Sequence, residues 1–381
     1  MKYFYRNLNV GILGGGQLGR MLLQAAIDFN LNIHVLDPDS QAPCRHLAND
    51  FVVGSLTDFD TVYQFGEDLD VITIEIENVN TEALEALEKE GKKVYPAVNV
   101  IRMIQNKCEQ KKWLKENDLP TADFILVNNR KEIEAQAHRL PFVNKLASGG
   151  YDGRGVQVVK SATDFEKTFD AVGLIEDLVP IQKELAVIVA RNPSGEMQTF
   201  PSVEMAFHPT ANLVEFLFSP AEIPAEVEAE AREIAQKIVE KMEYVGLLAV
   251  ELFWDTNGKL WVNELAPRPH NSGHHTIRCC ETSQYEQHLR AILDLPLGNT
   301  DLLTPAAMLN LLGEEGHSGE VIYQGVEEAL AFGGVYPHFY GKKITKPFRK
   351  MGHVTILARE KTALVNKVRK VQKTLKVVSG S

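Results

Sequence analysis

The alternation of short apolar runs and amphipathic stretches over residues 8–95 constrains this chain most. Strands that alternate with helices predict a parallel sheet covered on both faces, because each crossover helix packs back onto the sheet. Pro96 ends this α/β unit. The predicted strands are 9–13, 32–36, 51–53, 71–74 and 93–95, and the predicted helices are 17–29 and 81–90.

A glycine-rich turn at 14–19 follows the first predicted strand and opens the first predicted helix. Asp37 ends the next strand, 18 positions after Gly19. This G-x-G-x-x-G spacing is typical of a dinucleotide site, where a helix N-terminus binds phosphate. Another phosphate ester would suit the same amides, and a tight turn without a ligand is the third interpretation. Glu75 and Glu77 follow a buried strand at the same sheet edge, where ligands of parallel sheets collect.

Beyond residue 100 the pattern becomes mixed α+β. Charged helices are predicted over 100–118 and 224–242, and acidic residues in the first turns of the second suit the positive helix end. A shorter β-rich section follows residue 298, so we expect three domains, 1–100, 101–298 and 299–381. The other predicted strands are 124–127, 141–145, 156–159, 173–176, 184–190, 198–206, 213–219, 246–254, 259–264, 306–312, 335–340 and 352–359.

Composition limits the functional classes. A formal net charge of −11 argues against a nucleic-acid or anionic-membrane binder. The four cysteines, at 44, 108, 279 and 280, form no C-x-x-C pair, so neither a disulfide framework nor a zinc spacing is indicated. We therefore expect reduced thiols in a cytoplasmic protein. No signal peptide and no apolar run of about 18 residues is seen, so no membrane span is expected.

A second glycine-rich loop, at 149–155, lies between two predicted strands, and Lys145 stands just before it. Glycine amides and a strand-borne lysine neutralise phosphate oxygens, so the pattern favours a clamp for a nucleoside triphosphate. A glycine hairpin is the alternative, although four glycines around three functional side chains exceed what a hairpin needs. The connector 176–179 can present backbone groups to an adenine edge, and Glu184 can accept from ribose hydroxyls. Taken alone, that segment fits a plain strand–loop–strand better.

An Asn-Gly pair at 257–258, between two apolar strands, is typical of a type I′ hairpin. A two-residue loop there sets Trp254 opposite Trp261 and Glu251 opposite Glu264. Directly opposed residues lie about 4.5–5.5 Å apart at Cβ and share one face of the sheet.

Like charges opposed in this way are destabilising unless something neutralises them. A divalent cation would do so, and carboxylate oxygens suit magnesium that bridges ATP phosphates. The alternatives are an ion pair with Lys or Arg from elsewhere, or a raised pKa on one glutamate. Asn263 points to the other face in this register, although a bulge would turn it inward.

A proline-rich polar loop, 266–275, follows Glu264 directly. Arg268 can stabilise an anion there, and His270 and His274 can donate hydrogen bonds or move protons. Zinc is not indicated, because no cysteine or third spaced ligand accompanies these histidines. Near the end of the chain, cations at 342–343 and 349–350 suit a phosphate grip, and a solvated charged turn is an equal alternative.

Together these motifs resemble the ATP-grasp superfamily and, within it, the N5-carboxyaminoimidazole ribonucleotide synthetase family. The motifs that carry the resemblance are GGGQLGRM (14–21), GGYDGRG (149–155), NELAPRPHNSGHHT (263–276), YGK (340–342) and RKMGH (349–353). The resemblance implies a Rossmann-like pre-ATP-grasp domain, a central ATP-grasp domain and a small C-terminal domain that completes the substrate site.

The resemblance also implies the chemistry. ATP, bicarbonate and aminoimidazole ribonucleotide would give the N5-carbamate, ADP and phosphate through carboxyphosphate. Mg²⁺ would be the metal, with Mn²⁺ as a substitute, and the first glycine loop would bind ribonucleotide and no NAD. The family further implies a cytoplasmic homodimer that acts on small molecules.

Residue roles follow from the same resemblance. The metal ligands would be Glu251 and Glu264. The catalytic residues around bicarbonate and substrate would be Tyr151, Arg154, Arg268, His270 and Asn271. The ribonucleotide would contact Gln17, Leu18, Gly19, Arg20, Glu75, Lys342, Arg349 and Lys350. The ATP site would comprise Lys107, Lys145, Gly150, Tyr151, Asp152, Gly153, Arg154, Gly155, Glu176, Asp177, Leu178, Val179, Glu184, His208, Asn263 and Glu264.

Three departures from the family pattern stand out. Lys107 occupies a position that is usually Arg, which keeps the charge but loses the bidentate geometry. Val156 replaces a usual Gln, and the segment 204–208, which ends at His208, carries one residue more than the family pattern. The competing hypotheses are an ATP-grasp enzyme for another amine, a nicotinamide-dependent dehydrogenase built on the first glycine loop, and a nucleotide-binding regulator without turnover.

Overall fold

The computed structural model describes residues 8–150, 155–207 and 213–380. The predicted site residues Tyr151, Asp152, Gly153, Arg154 and His208 lie outside these ranges. Within the described ranges, no helix combines the length and the apolar character needed to cross a membrane.

The N-terminal region is the parallel sheet that the alternating pattern predicted. Its five described strands run in the order β3-β2-β1-β4-β5, and every pairing is parallel. This order brings the loop after β1, the end of β2 and the residues after β4 to one edge of the sheet. The elements are β1 (Asn9–Leu13), α1 (Gln17–Asp28), β2 (Asn32–Asp37), β3 (Asp50–Val53), α2 (Phe59–Gly66), β4 (Val71–Ile74), α3 (Thr81–Lys89) and β5 (Lys93–Val94).

The single helix predicted over 100–118 is wrong. The chain forms two helices, α4 (Val98–Ile104) and α5 (Lys107–Glu116), separated at Gln105 and Asn106. The Asn106 side chain accepts from the backbone N–H groups of Cys108 and Glu109, so it caps a new helix and does not continue the old one. Consequently Lys107 stands in the first turn of α5.

A small antiparallel sheet carries the second glycine loop. Its described strands run in the order β6-β9-β7-β8, and the loop joins β7 to β8. Phe142, Val159 and Ile175 form its buried core, which fixes the hairpin beneath the loop. The elements are β6 (Phe124–Val127), α6 (Arg130–Glu134), β7 (Phe142–Leu146), β8 (Val156–Val159) and β9 (Gly173–Asp177).

A larger antiparallel sheet of nine described strands forms the middle of the molecule. Helix α7 packs against it, and Leu185, Val250 and Ile238 belong to the shared core. The strand predicted over 198–206 is two strands, because Pro201 lacks the N–H that a continuous ladder needs. The elements are β10 (Ile181–Arg191), β11 (Met197–Thr199), β12 (Val203–Phe207), β13 (Val214–Ser219), α7 (Ala225–Lys241), β14 (Gly246–Asp255) and β15 (Leu260–Ala266).

Three of the remaining strands extend this sheet, and side chains of α9 pack into the core of the N-terminal region. β16 pairs with β13, and β20 and β18 follow in the same sheet, while β17, β19 and β21 form a separate sheet. Helix α11 was missed at the sequence level. The elements are α8 (Thr276–Cys279), α9 (Gln284–Ile292), β16 (Ala306–Leu312), β17 (Gly319–Gln324), α10 (Val326–Ala331), β18 (Val335–Phe339), β19 (Ile344–Thr345), β20 (Lys350–Leu357), α11 (Lys361–Thr374) and β21 (Lys376–Ser379).

Candidate active site

The β14–β15 hairpin places Glu251 opposite Glu264, as predicted, but by a different route. The loop is not the two-residue type I′ turn: Asp255 N–H donates to the Lys259 carbonyl at 2.9 Å, which leaves three residues between them. Trp254 therefore faces Leu260 and not Trp261. The Asp255 carboxylate favours this wider loop, because it accepts from the backbone of the residues at 257 and 259 at 2.8 and 2.9 Å.

A β-bulge restores the register further along the hairpin. The pairing shifts by one residue between Glu251 and Leu252, and Asn263 is the extra residue on β15. Bulges redirect side chains, and Asn263 reaches Lys145, whose Nζ donates to Asn263 Oδ1 at 3.0 Å. The small and large sheets thus meet at this contact.

Three glutamates share one face of the large sheet. Ala186 on β10 is paired with Glu251, and Glu184 lies two residues from Ala186, so its side chain points to the same side. Burial, followed by the charges of Glu264 and Glu184, raises the pKa of Glu251 to about 7. Burial also raises the pKa of Glu184 to about 7. Such a face favours a cation, and its hard oxygen donors fit Mg²⁺.

Lys107 and His270 contact the acidic pair in the ligand-free chain. Lys107 Nζ lies 2.5 Å from Glu264 Oε1, so the ion-pair alternative holds for this glutamate. His270 Nε2 lies 3.6 Å from Glu251 Oε1. Burial, followed by the charges of Arg268 and Lys350, lowers the pKa of His270 to about 3. His270 is therefore neutral at pH 7 and does not balance the charge of Glu251, which leaves that role to a cation.

A buried ion triad stands beneath the phosphate clamp. The Glu176 carboxylate contacts Lys145 Nζ, and Lys111 Nζ lies 2.9 Å from it, with the glutamate side chain only 4% exposed. Burial opposes ionisation of Glu176, but the two lysine charges outweigh it and lower the pKa of this carboxyl to about 2. Burial lowers the pKa of Lys111 to about 8 despite the Glu176 charge. The triad fixes Lys145 in front of Asn263.

The proline-rich loop is held by partners on other elements. Arg268 Nε lies 2.8 Å from Glu77 Oε1, so Glu77 anchors this loop. The His270 backbone N–H donates to Gln284 Oε1 at 2.9 Å. Asn271 and Asn310 exchange two side-chain amide hydrogen bonds, at 2.9 and 3.0 Å. Arg268, His270 and Asn271 are thereby positioned beside the acidic face.

The first glycine loop is occupied by carboxylates of the chain itself. Gly15 N–H donates to Asp37 Oδ2 at 2.6 Å. Gly16 N–H and Gly19 N–H donate to the two Glu75 oxygens at 2.7 and 2.8 Å. A pyrophosphate at these amides would meet two negative side chains, so the geometry argues against the dinucleotide interpretation.

The cations that were predicted to bind a phosphate lie beside this loop. Arg20 Nη1 donates to the Pro43 carbonyl at 3.2 Å and lies 3.8 Å from the position that a Gly341 side chain would occupy. Lys342 Nζ donates to the Lys350 carbonyl at 2.9 Å, and the Arg349 guanidinium donates to the Ile344 carbonyl. The structure therefore brings cations from the two ends of the chain to one rim.

The remaining predicted ATP-site residues lie around the clamp, and the remaining predicted ribonucleotide-site residues lie at the start of α1. Leu146 N–H donates to the Gly155 carbonyl at 2.9 Å, and Gly150 Cα approaches Gly155 closely, so the loop closes at a narrow neck. Leu178 is exposed and Val179 half-buried on the connector between the small and large sheets, and Asp177 pairs with Arg139 at 2.5 Å. Gln17 is half-buried and Leu18 is buried at the start of α1.

Sequence reasoning missed Lys111, Gln284 and Asn310. A signal for Lys111 was available: it lies four residues after Lys107 on a helix, so both lysines share one face. Gln284 and Asn310 gave no local signal, since each acts through a loop far away in the sequence.

Two sheets that meet on one acidic, lysine-flanked face have the arrangement of an ATP-grasp ligase. Family models agree with this class: the ATP-grasp domain matches residues 112–285, the ribonucleotide synthetase preATP-grasp domain matches 8–105, and the phosphoribosylaminoimidazole carboxylase C-terminal domain matches 306–367.

Individual relatives narrow the class. The chain is 39% identical to the N5-carboxyaminoimidazole ribonucleotide synthase of Synechococcus elongatus over 91% of this chain and 89% of that protein. It is also 39% identical to the chloroplastic phosphoribosylaminoimidazole carboxylase of Vigna aconitifolia, over 91% of this chain but only 64% of that longer protein.

Solved structures show the same likeness. The N5-carboxyaminoimidazole ribonucleotide synthetase of Thermotoga maritima has a TM-score of 0.91 at 41% identity, covering 98% of this chain and 100% of its own. The Aspergillus clavatus synthase in complex with ADP and 5-aminoimidazole ribonucleotide has a TM-score of 0.88 at 32% identity, covering 96% of this chain and 98% of its own.

The chain belongs to the N5-carboxyaminoimidazole ribonucleotide synthase family. It is a ligase that forms a carbon–nitrogen bond, and the family reaction is ATP-dependent carboxylation of 5-aminoimidazole ribonucleotide in purine biosynthesis.

Proposed function

We propose that Glu251 and Glu264 hold one Mg²⁺ and present it to the phosphates of ATP. The observation that carries this proposal is the facing pair itself, with the pKa of Glu251 raised to about 7 by burial and by neighbouring carboxylates. A hard divalent ion relieves that repulsion and, when bound, neutralises charge on the transferred phosphoryl group. Mn²⁺ offers the same oxygen chemistry and would substitute.

Lys145 and Lys107 are the cations that would meet the phosphates. Lys145 is only 7% exposed and is oriented by Glu176 and Asn263, so it is pre-positioned. Lys107 is held by Glu264 in the ligand-free chain and would be shared with a phosphate when ATP binds. The connector 176–179 would present its backbone to adenine, and Glu184 would accept from the ribose hydroxyls.

Bicarbonate would bind between Arg268 and His270. Its oxygen attacks the γ-phosphorus, the bond to ADP breaks, and carboxyphosphate forms. The exocyclic amine of aminoimidazole ribonucleotide then attacks the carboxyl carbon, the carbon–oxygen bond to phosphate breaks, and the amine loses a proton to the departing phosphate. Arg268 would stabilise the anionic intermediate, and neutral His270 would hold bicarbonate by a hydrogen bond.

The ribonucleotide phosphate would bind at the rim formed by Arg20, Lys342, Arg349 and Lys350. Lys350 links this rim to the metal site, because its charge acts on both Glu251 and His270. A ribonucleotide whose phosphate is bound at this rim would therefore have its amine close to carboxyphosphate at the metal site.

Phosphate release with ATP, Mg²⁺ and bicarbonate, with and without aminoimidazole ribonucleotide, tests the reaction. We expect release that depends on the ribonucleotide, with one ADP formed per carbamate. Release that is equal without the ribonucleotide would contradict the proposal. Release that requires a different amine would instead favour another ATP-grasp ligase.

We also propose that the protein works as a homodimer in the cytoplasm. The family suggests the dimer, and four buried, unbridged cysteines suit a reducing compartment. Light scattering after gel filtration should give twice the chain mass of 42.5 kDa. A monomer mass at micromolar concentration would refute the dimer.

A further inference from the structure

A buried cluster of one histidine and two cysteines lies behind the catalytic loop. His275, Cys279 and Cys280 each place a potential ligand atom within 4.8 Å of the other two. Their exposed fractions are 2%, 0% and 7%. None of the three has a role in the ligase mechanism described above.

Local folding creates this cluster. His275 is the N-cap of the short helix α8, and Cys279 follows four residues later, so the two side chains share one helical face. Cys280 leaves the helix in an extended conformation, with φ of −113° and ψ of 159°. Leu303 N–H donates to the Cys279 carbonyl at 2.7 Å, and Cys280 forms a β-bridge with Leu302, so a distant segment holds the cluster in place.

The His275 ring is in the state that a metal requires. Burial lowers the pKa of His275 to about 4 and outweighs a backbone hydrogen bond with Ser272 that raises it, so the ring is neutral at pH 7. Its Nδ1 is buried and has no hydrogen-bond partner among the described residues. Such an atom costs stability unless a ligand satisfies it, and neutral imidazole nitrogen is a common metal ligand.

We propose that His275, Cys279 and Cys280 bind one Zn²⁺. Zinc takes thiolate sulfur and imidazole nitrogen, whereas Mg²⁺ prefers the carboxylate oxygens of the acidic pair.

The net charge of the buried site favours Zn²⁺ over Cu⁺. The cysteines belong to an apolar cluster with Ile188, Phe200 and Leu247, where a net charge would be costly. Two thiols release two protons to solvent when Zn²⁺ binds, and the product with one neutral imidazole carries no net charge. Cu⁺ with the same ligands would leave one negative charge buried.

A backbone oxygen would be available as a fourth ligand. The His275 carbonyl accepts from Cys279 Sγ at 3.1 Å, so its oxygen lies next to the cluster, and a water would serve equally. The ion would link the start of α8 at His275 to Cys280, which pairs with Leu302, and so stabilise the base of the loop that carries Arg268 and His270. Spacing in the sequence did not indicate this site, because adjacent cysteines with a histidine four residues earlier fit no C-x-x-C pattern.

Metal content and a cobalt spectrum test the proposal. The full chain is expressed with zinc, dialysed against excess Mg²⁺ to clear the carboxylate site, and analysed by mass spectrometry for bound metal. A second sample is prepared with Co²⁺ in place of zinc. We expect about one zinc per chain and, with cobalt, a thiolate-to-metal charge-transfer band that carboxylates cannot produce.

Cys279→Ala and His275→Phe should each lower the zinc content by at least tenfold and abolish or shift the cobalt band. Cys108→Ala is the matched control, because Cys108 is buried outside the cluster, and it should retain both signals. Circular dichroism checks that the variants fold. A wild-type chain without zinc and without the cobalt band overturns the proposal, as does a Cys279–Cys280 disulfide or a band that is unchanged in His275→Phe.

Discussion

Gly16→Ala tests whether Glu75 organises the first glycine loop. Gly16 N–H and Gly19 N–H donate to the two Glu75 oxygens at 2.7 and 2.8 Å. Gly16 has φ of −77° and ψ of −155°, a conformation that alanine adopts without strain. An alanine Cβ would nevertheless lie 2.7 Å from Glu75 Oε1, closer than van der Waals contact allows. The carboxylate must therefore move away from the Gly16 amide.

The expected loss is one charge-assisted hydrogen bond, about 1.5–3 kcal/mol. The loss should depend on pH. Burial raises the pKa of Glu75 and the two amide bonds oppose that rise, so removal of one bond raises the pKa further. A further rise in the pKa of Glu75 means that its ionised form is more costly in the folded state. The stability deficit of Gly16→Ala should therefore be larger at pH 8 than at pH 5.

Amide hydrogen exchange over residues 14–28 measures this local stability. A loss of about 2 kcal/mol corresponds to roughly 30-fold faster exchange of α1 amides at pH 8. Gly91→Ala is the control for backbone strain alone: its φ of +89° strains an alanine, but nothing lies within 4 Å of its Cβ position and it makes no contact with Glu75. Exchange of α1 that is unchanged in Gly16→Ala would refute the role of Glu75.

Three further predictions concern the charged groups of the site. Lys107→Met removes the ammonium beside Glu264, so Mn²⁺ should bind the free chain more tightly. The Kd for ATP should rise several-fold, because a cation that meets the phosphates is lost. Calorimetric titrations that show both affinities unchanged would contradict this. Lys111→Met leaves Glu176 with one lysine and should lower the unfolding free energy by about 1–3 kcal/mol at pH 7. The lowered pKa of Glu176 stabilises the fold at pH values above the pKa that this carboxyl has in the unfolded chain, so the deficit should shrink as pH falls toward 2. Urea unfolding midpoints at pH 7 that are equal for the variant and the wild type would refute the prediction. Since Glu251 has a pKa of about 7, Mg²⁺-dependent kcat/KM should fall below that pH and recover with added Mg²⁺, and an acid limb insensitive to Mg²⁺ would exclude this cause.

The N-terminal fold could be predicted because its periodic pattern is local. Strands β1 to β5 lie close to the predicted bounds, and the parallel sheet is confirmed. The ligand of the glycine loop could not be predicted in the same way. Its amides are satisfied by Glu75, 59 residues beyond Gly16, so the outcome depends on tertiary structure and not on the G-x-G-x-x-G spacing.

The hairpin shows how a correct pairing can come from an incorrect turn. The Asn-Gly pair suggested a two-residue loop, but Asp255 stabilised a three-residue loop, and the bulge at Asn263 then cancelled the shift. Only the pairing beyond the bulge agrees with the prediction. The bulge itself could not be predicted, because Asn263 makes its contact with Lys145 on another sheet.

Other differences reflect signals that were present but overlooked. Leu364, Val368 and Val371 are buried at helical spacing in α11, so the pattern of that helix was legible. Asn106 is a favoured N-cap residue and marked the break before α5. In contrast, Asn310 supports Asn271 from a strand 39 residues away, and no local pattern indicates such a contact.

The central claim, that Glu251 and Glu264 hold the magnesium ion, is tested most directly by Mn²⁺ binding in the presence of ADP. Electron paramagnetic resonance measures free Mn²⁺ for the wild-type chain, for Glu251→Gln and for Glu264→Gln, and Glu230→Gln on an exposed face of α7 is the control. We predict that both site variants lose nucleotide-dependent Mn²⁺ binding and turnover while keeping their circular dichroism, and that the control keeps all three. Full Mn²⁺ binding and full Mg²⁺-dependent turnover in both site variants would contradict the claim.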